Sequence, residues 1–426
     1  MLTERDKVHK EIRVLISSGY PIIQIISWEQ HRVLKGLISM LKDNDVYYWT
    51  GYSGLNKLSL SENLKILFDP IPTDETILPY IMKYKGKAVF ILQDFHLYMF
   101  DQRSNTPVEP VLAALRHFVE SEEGKKKTIV FLGPTQCVPL ELQKSINIVD
   151  YPLPAYNEIA AILSRILTLA EKKFEVNRDK DLLEKIIKAS LGLTYDEIER
   201  LYKKVIIEDK KFDSSDIIKI IENKKQIIRQ KGYLEYFNLE EGLKDVGGMD
   251  LLKAWLDSRK NAFTEDARKF GLPQPKGILL IGVQGAGKSL AAKAIGSFWG
   301  LPLIRLDVGA VMEKWIGESE RNIRDSIKIA ESISPAILWI DELEKSFPST
   351  RNTEGDSGTS LRIFSTFLNW MQEKTKPVFV VATANDISGL PPEFIRKGRF
   401  DEIFFVDLPK AKERAEIFNI HFNKRN

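Results

Sequence analysis

Cysteine is nearly missing: the 426-residue chain has one, Cys137. An intramolecular disulfide is thereby excluded, as is a cysteine-based metal cluster within one chain. A reducing compartment fits. Charge of one sign is also scarce. The formal net charge of +3 points to neither nucleic acid nor an anionic membrane surface, and no nucleic-acid module is recognisable. No uninterrupted apolar run approaches ~18 residues, so no membrane span is expected. The N-terminus, Met1-Leu2-Thr3-Glu4-Arg5-Asp6-Lys7, is mixed in sign, and no apolar core follows it. It reads as neither a secretory signal nor a transit peptide. The expectation is a soluble protein of two or three domains that stays where it is made.

Against these absences one stretch stands out: Gly282-Val283-Gln284-Gly285-Ala286-Gly287-Lys288-Ser289. It fits G-x-x-x-x-G-K-[ST], the phosphate-binding loop of nucleotide triphosphatases. Its glycines let backbone N–H groups turn inward and approach a polyphosphate. Lys288 supplies a cation for the β- and γ-phosphates, and the Ser289 hydroxyl can ligate Mg²⁺. The helix that starts here, running on through Leu290, adds its positive end. Gly277-Ile278-Leu279-Leu280-Ile281 before it reads as a buried strand. Strand, loop, helix is the arrangement the motif requires.

Residues up to 153 alternate short apolar runs with amphipathic stretches. Strands are expected at 21–26, 46–49, 88–92 and 128–132, with helices at 29–42 and 108–120. The pattern implies a parallel α/β sheet covered on both faces. The Lys125-Lys126-Lys127 run reads as a solvated loop. This layout imitates a nucleotide-binding domain without its chemistry. Tyr20 to Arg32, where a phosphate loop would sit, contains no glycine before Arg32 and no G-K-[ST]. Asp94 follows a strand as a Mg²⁺-binding aspartate would, but Phe95 takes the place of a base. The region reads as a degenerate, non-catalytic domain; an unrelated α/β domain is the alternative. Residues 154–230 turn helical and suggest a lid-like subdomain, with a capping box at Thr194-Tyr195-Asp196-Glu197. Residues 231–243 read as a linker. From 244 to 426 the α/β pattern returns, with five strands expected at 277–281, 303–307, 336–340, 378–382 and 403–406.

Further chemistry sits at the ends of those strands. The Ala336–Ile340 run delivers Asp341-Glu342, a position suited to a sheet-edge active site. Asp341 would hold Mg²⁺ through its water shell, together with Ser289, and Glu342 would polarise the attacking water. Asn385, after another apolar run, can hold the same water and a γ-phosphate oxygen without adding charge. Arg396 and Arg399 offer planar guanidinium groups suited to charge spread over phosphoryl oxygens. The bland alternatives are an Asn-Asp turn and a basic surface loop.

Asp245-Val246-Gly247-Gly248, the phosphate loop, Lys314-Trp315-Ile316-Gly317-Glu318-Ser319-Glu320, Ile340-Asp341-Glu342, Ala384-Asn385 and Gly398-Arg399-Phe400-Asp401 occur in one order. That order and spacing resemble the AAA family of ATPases, over roughly 243–421. The N-terminal half, with Phe90-Ile91-Leu92-Gln93-Asp94-Phe95-His96, looks like the uncharacterised AAA proteins encoded in algal plastid genomes and cyanobacteria. The resemblance implies a P-loop NTPase core, ATP and Mg²⁺ as ligands, and a ring of subunits, by family habit a hexamer. It implies that Arg396 and Arg399 act as fingers on a neighbour's nucleotide, and that Asn385 is a sensor. It makes Asp245 and Gly247 part of the adenine-side contact. Trp315 would be a pore-loop aromatic gripping a threaded polypeptide, or alternatively a buried packing residue. A plastid, stromal location is implied in the same way, with a cytoplasmic one otherwise.

Two departures qualify the likeness. Leu343-Glu344 stands where the family usually has Ile-Asp. The chain stops at Asn426, just after Pro409, Arg414 and Phe418 begin what resembles the first lid helix. A truncated C-terminal lid is therefore expected, with fewer adenine contacts and weaker ring packing. Two functions follow. One is an ATP-hydrolysing machine that remodels an unknown protein partner. The other is a nucleotide-gated regulatory or adaptor protein with little or no turnover.

Overall fold

Two twisted sheets with buried parallel cores organise the chain, each built from the apolar runs noted above. The computed structural model describes every residue except 1–2, 42–43, 62–65, 72–75, 102–105, 123, 230–231, 238–241, 243–244, 264–266, 268–269, 313–317, 347–356, 387–391, 397 and 426. The chain divides into two units: residues 1–166 with 193–200, and residues 167–192 with 201–426.

The first unit opens with α1 (Glu4–Ser17), β1 (Ile22–Ile26), α2 (Gln30–Met40) and β2 (Asp45–Thr50). It continues through β3 (Gly54–Leu60), β4 (Ile66–Pro70), α3 (Ile77–Lys83), β5 (Ala88–Gln93), α4 (His96–Met99), α5 (Glu109–Glu120), β6 (Lys127–Gly133) and β7 (Ile146–Asp150). The sheet order is β4-β3-β2-β5-β6-β1-β7. From β2 to β7 the neighbours are parallel; β3 and β4 extend the edge antiparallel. Successive strand residues face opposite sides. Ile23, Ile25, Val89, Ile91, Val130 and Leu132 pack with α1 and α2, while Ile22, Phe90, Leu92, Ile129 and Phe131 pack with α3 and α5. That is why these runs are apolar without alternation. Lys127 departs from the expected solvated run. It starts β6, is 2% exposed, and its Nζ donates to the Met82 carbonyl at 3.2 Å.

The helical region holds α6 (Tyr156–Ala170), β8 (Glu175–Val176), α7 (Lys180–Ser190), α8 (Tyr195–Asp209), β9 (Lys211–Phe212) and α9 (Asp216–Arg229). The division between units falls within α6 and within α8. The capping box at Thr194 and Glu197 forms: Thr194 N donates to Glu197 Oε2 at 2.7 Å, and Glu197 N donates back to Thr194 Oγ1 at 3.4 Å. The stretch expected as a linker contains β10 (Leu234–Phe237), so it is no free tether. Lys224 of α9 explains part of this. Its Nζ is buried, donates to the Ala189 carbonyl at 3.0 Å, and lies 5.6 Å from the Tyr236 ring. Burial pulls that ammonium down to about 7.

Then follow α10 (Asp250–Ser258), β11 (Gly277–Gly282) and α11 (Lys288–Trp299).

 Next come β12 (Leu303–Leu306), α12 (Val308–Met312), α13 (Glu318–Ile333), β13 (Ala336–Ile340), α14 (Leu343–Ser346) and α15 (Ser357–Glu373). The chain closes with β14 (Val378–Ala384), β15 (Glu402–Val406) and α16 (Ala411–Asn423). The sheet order is β10-β12-β13-β14-β11-β15. The five expected strands are mutually parallel, and β10 adds a sixth, antiparallel to β12. Leu279, Ile281, Leu338, Ile340, Val380 and Ala382 face one layer, where α13 and α15 pack; Ile278, Leu280, Ile337, Trp339, Phe379 and Val381 face the other.

Taken in chain order, the parallel strands of both sheets are arranged second, third, fourth, first, fifth. The first unit thus repeats the topology of the second with different residues at the strand ends. Ile26 pairs with Gly133, the last residue of β6, as Ile281 pairs with Ala384, the last of β14. Ser27 therefore stands where Gly282 stands. Two residues, Trp28 and Glu29, separate Ser27 from α2, whereas five separate Gly282 from α11. The same register sets Gln93 opposite the place of Asp341, and Asp94 opposite that of Glu342. This moves the expected correspondence by one residue. It also explains why Asp94 and Glu342 share a left-handed backbone, with φ of 52° and 51°.

The short turn after β1 is filled from within. Glu29 and Arg32 are buried and bonded at 2.5 Å. Arg32 also binds Glu158 at 2.9 Å and the Pro152 carbonyl at 2.7 Å, while Glu29 Oε1 accepts from Tyr195 N at 2.5 Å. Removing one partner of a buried pair exposes the desolvation cost of the other. Glu29→Ala is expected to destabilise the protein by about 3 kcal/mol, the low end for a broken buried pair because Arg32 keeps Glu158. Urea unfolding checks this; a loss under about 1 kcal/mol contradicts it.

Candidate functional site

The phosphate loop begins with a backbone that tolerates no side chain. A Cβ on Gly282 would lie 1.8 Å from the Val406 carbonyl oxygen. Gly285 and Gly287 have φ of 83° and 92°, where only glycine is at ease. The loop so formed closes on α11. Lys288 is 7% exposed, and its Nζ donates to the carbonyls of Gly282 and Val283, both at 2.8 Å. Burial holds its ammonium below the usual lysine range, opposed by the charges of Glu344, Asp341 and Glu342.

Across the sheet, the ends of β13 and β14 supply the facing groups. Ser289 Oγ donates to Asp341 Oδ1 at 3.2 Å. Thr383 Oγ1 donates to the same carboxylate oxygen and accepts from Glu342 N at 3.0 Å. Thr383 thereby fixes both acidic residues, including the left-handed Glu342, a conformation that costs a non-glycine residue on the order of 1 kcal/mol. Lys345 Nζ binds Glu342 Oε1 at 2.8 Å, which lifts the exposed lysine's ammonium above its usual range. Asn385 Nδ2 donates to Glu344 Oε1 at 3.0 Å and lies 3.5 Å from Glu342 Oε1.

These groups surround a cavity of about 350 Å³ lined by Gln284, Gly285, Gly287, Lys288, Ser289, Leu290, Asp341, Glu342, Thr383 and Asn385. It lies at the C-terminal ends of β11, β13 and β14, beside the point where the strand order reverses. Gly282 and Val283 contribute carbonyls to Lys288 and do not line it, nor does Ala286. The donor set suits Mg²⁺. Among the described residues no group of three or more His, Cys, Asp or Glu side chains is arranged to hold a metal. The Ser289 hydroxyl and the Asp341 carboxylate, 3.2 Å apart, are the oxygen donors that would hold the ion, directly or through its water.

Other expected residues fall elsewhere. Asp245 turns its carboxylate to Lys424 at 2.8 Å and to Gly242 N at 2.7 Å; the lysine holds it below the usual carboxylate range. Gly247 is pressed against α16, where a Cβ would come 2.6 Å from Ile417. Neither lines the cavity. Arg399 donates to the Glu393 carbonyl, and Arg396 is exposed. Their loop is tied by Asp401, which accepts from Lys276 N at 2.6 Å and Gly277 N at 2.9 Å. That is the start of β11, about 17 Å along the strand from the phosphate loop. The two arginines thus stand away from their own chain's cavity. Trp315, with Lys314 to Gly317, lies outside the described residues. Thr383 and Glu344 were given no role from sequence. A lone hydroxyl inside the otherwise apolar run Val378–Ala384 was the available signal for Thr383.

The sheet order, the glycine loop and the facing carboxylates together define a P-loop protein of the AAA class. Residues 278–408 match the ATPase family associated with various cellular activities (AAA). Residues 8–151 and 157–231 match the N-terminal and second domains of SpoVK-like AAA ATPases. The chain is 41% identical over 421 residues to the uncharacterized AAA domain-containing protein ycf46 of Trieres chinensis, covering 98% of this chain and 82% of the relative. The ycf46 protein of Guillardia theta is 40% identical over 418 residues, covering 97% and 80%. A cell division cycle protein 48 homolog of Archaeoglobus fulgidus is 29% identical over 221 residues, covering 51% and 30%. The chain belongs to the AAA ATPase family, among the ycf46 proteins.

Replacing Thr383 by Val keeps the shape and removes the hydroxyl. The N–H of Glu342 then loses its acceptor, which is expected to cost about 1–3 kcal/mol. Chemical denaturation of Thr383→Val measures it; unchanged stability would show that water replaces the hydroxyl.

Proposed function

We propose that this protein hydrolyses ATP with Mg²⁺ and uses the cycle, as a ring of subunits, to remodel a protein partner. The observation that carries the reading is the convergence of Lys288, Ser289, Asp341, Glu342 and Asn385 on one cavity. Lys288 binds the β- and γ-phosphates, exchanging its two carbonyl partners for stronger charge-assisted ones. The loop N–H groups and the start of α11 orient the polyphosphate. Ser289 and Asp341 hold Mg²⁺, which when bound neutralises charge on the phosphoryl oxygens. Glu342 positions and polarises the water, and Asn385 donates to that water or to a γ-phosphate oxygen.

The remainder rests on family likeness. Arg396 and Arg399 act on a neighbouring subunit's nucleotide, in keeping with their distance from their own cavity. Asp245 and Gly247 lie on the adenine side, and Trp315 grips the polypeptide. A plastid location is proposed from the likeness to ycf46. No described helix is long and apolar enough to cross a membrane. The second reading, a nucleotide-gated adaptor with little turnover, draws on the first unit, whose strand ends lack the phosphate loop.

Glu342→Gln is expected to bind ATP about as tightly as the parent chain while phosphate release falls at least about 100-fold. Calorimetry and a phosphate assay check both halves. Normal turnover in this variant removes Glu342 from its role; bound ATP intact for hours in the parent chain favours the adaptor reading. Light scattering is expected to show ring-sized particles with ATP and Mg²⁺, and Arg399→Ala to lower turnover without loosening ATP. A monomer at every nucleotide concentration rules out the ring.

A further inference from the structure

Glu344 is bonded in a way that its place on a short helix does not require. Its Oε1 accepts twice from one residue, from Asn385 N and from Asn385 Nδ2, both at 3.0 Å. The same Nδ2 reaches Glu342 Oε1 at 3.5 Å, the outer limit of a hydrogen bond. The shorter, charge-assisted bond therefore sets the plane of the amide, and the longer one yields readily. Glu344 Oε2 is buried and has no hydrogen-bond donor among the described residues. Its charge is balanced through space: of the carboxylates that favour the charged form of Lys288, Glu344 acts most strongly.

A carboxamide has nearly the same shape when its oxygen and nitrogen are exchanged. Only the nitrogen is useful beside Glu342 and a phosphate, since both of those accept hydrogen bonds. An acceptor-only carboxylate at Glu344 selects the nitrogen. We infer that Glu344 is a positioning residue, holding the Asn385 amide by its nitrogen so that the second N–H faces Glu342 and the cavity. The inference deepens the ATPase reading and rests on it for its effect on turnover. In the resting site the second N–H lies toward Glu342; a γ-phosphate oxygen or the ordered water takes it over without turning the amide.

The test measures turnover and ATP affinity for the full chain, Glu344→Ala, Asn385→Ala, the double variant and Glu344→Asp. Glu344→Ala is expected to lower kcat about 10- to 100-fold and to change the ATP dissociation constant less than about threefold. In the Asn385→Ala background the same change is expected to be nearly silent, because the residue it acts through is gone. Glu344→Asp recovers part of the loss. Equal losses in both backgrounds overturn the inference. A second readout needs no turnover: the Asn385 side-chain amide, followed by NMR in ¹⁵N-asparagine-labelled protein without nucleotide. Its hydrogen exchange is expected to quicken about tenfold or more in Glu344→Ala. Unchanged exchange overturns the inference even where the parent chain hydrolyses ATP. Quickened exchange with no turnover in the parent chain leaves Glu344 in place and sinks the ATPase reading alone.

Discussion

Everything chemical in this protein depends on the register of two parallel ladders, β11 with β14 and β14 with β13. That register sets the end of β11 beside the ends of the two acidic strands, so that Ser289 and Asp341 meet at 3.2 Å. A slip of one residue would turn Asp341 and Thr383 to the wrong faces and bring apolar residues to the site. The slip is prevented by the core itself. All seven residues of β14 and all five of β13 are buried, so both faces of each strand are already committed. The hydrophobic layers and the geometry of the cavity are one constraint.

The two units show how little of a nucleotide site belongs to the fold. They share the order of their parallel strands and even the left-handed residue after the third. What differs is a few residues at the strand ends. The second unit has five residues in which to wrap a polyphosphate, and the first has two. The first places Gln93 in the position of Asp341, and Pro134 in that of Asn385. Its Asp94, in the place of Glu342, is held by Gln30 and Gln93, both at 3.1 Å, where Glu342 meets Lys345. Glu29 brings a carboxylate to the turn where phosphate oxygens would lie, with Arg32 as its cation. A buried ion pair of this kind adds little net stability over apolar packing, so its value here lies in fixing one arrangement of the turn.

Much of this was legible in the residues. The uninterrupted apolar runs marked the parallel strands, because a strand buried on both faces has no reason to alternate. The phosphate loop was legible because its glycines and lysine are demanded by backbone conformation and charge, which leave few substitutes. β3, β4, β7 and β10, at or beside a sheet edge, were missed because such strands alternate or carry polar residues, as in Gly54–Leu60 and Ile146–Asp150. Their strand character comes from a neighbour already in place. Thr383 was hidden for the opposite reason. It lies in a buried strand, where a single hydroxyl looks like tolerated polarity until its two partners are seen. The role of Glu344 needed three dimensions, since its partner Asn385 is 41 residues away.

One strand joins two parts of the protein that sequence treats separately. Asp401 accepts from the N–H of Lys276, just before β11, and from that of Gly277, its first residue, while Gly282 at the far end is pressed against the Val406 carbonyl. Between them β11 is hydrogen-bonded on both sides and buried throughout. Such a strand neither stretches nor bends appreciably, so it behaves as a stiff rod. The loop bearing Arg399 and the cradle bearing Lys288 are its two tips, and a displacement of either is carried to the other.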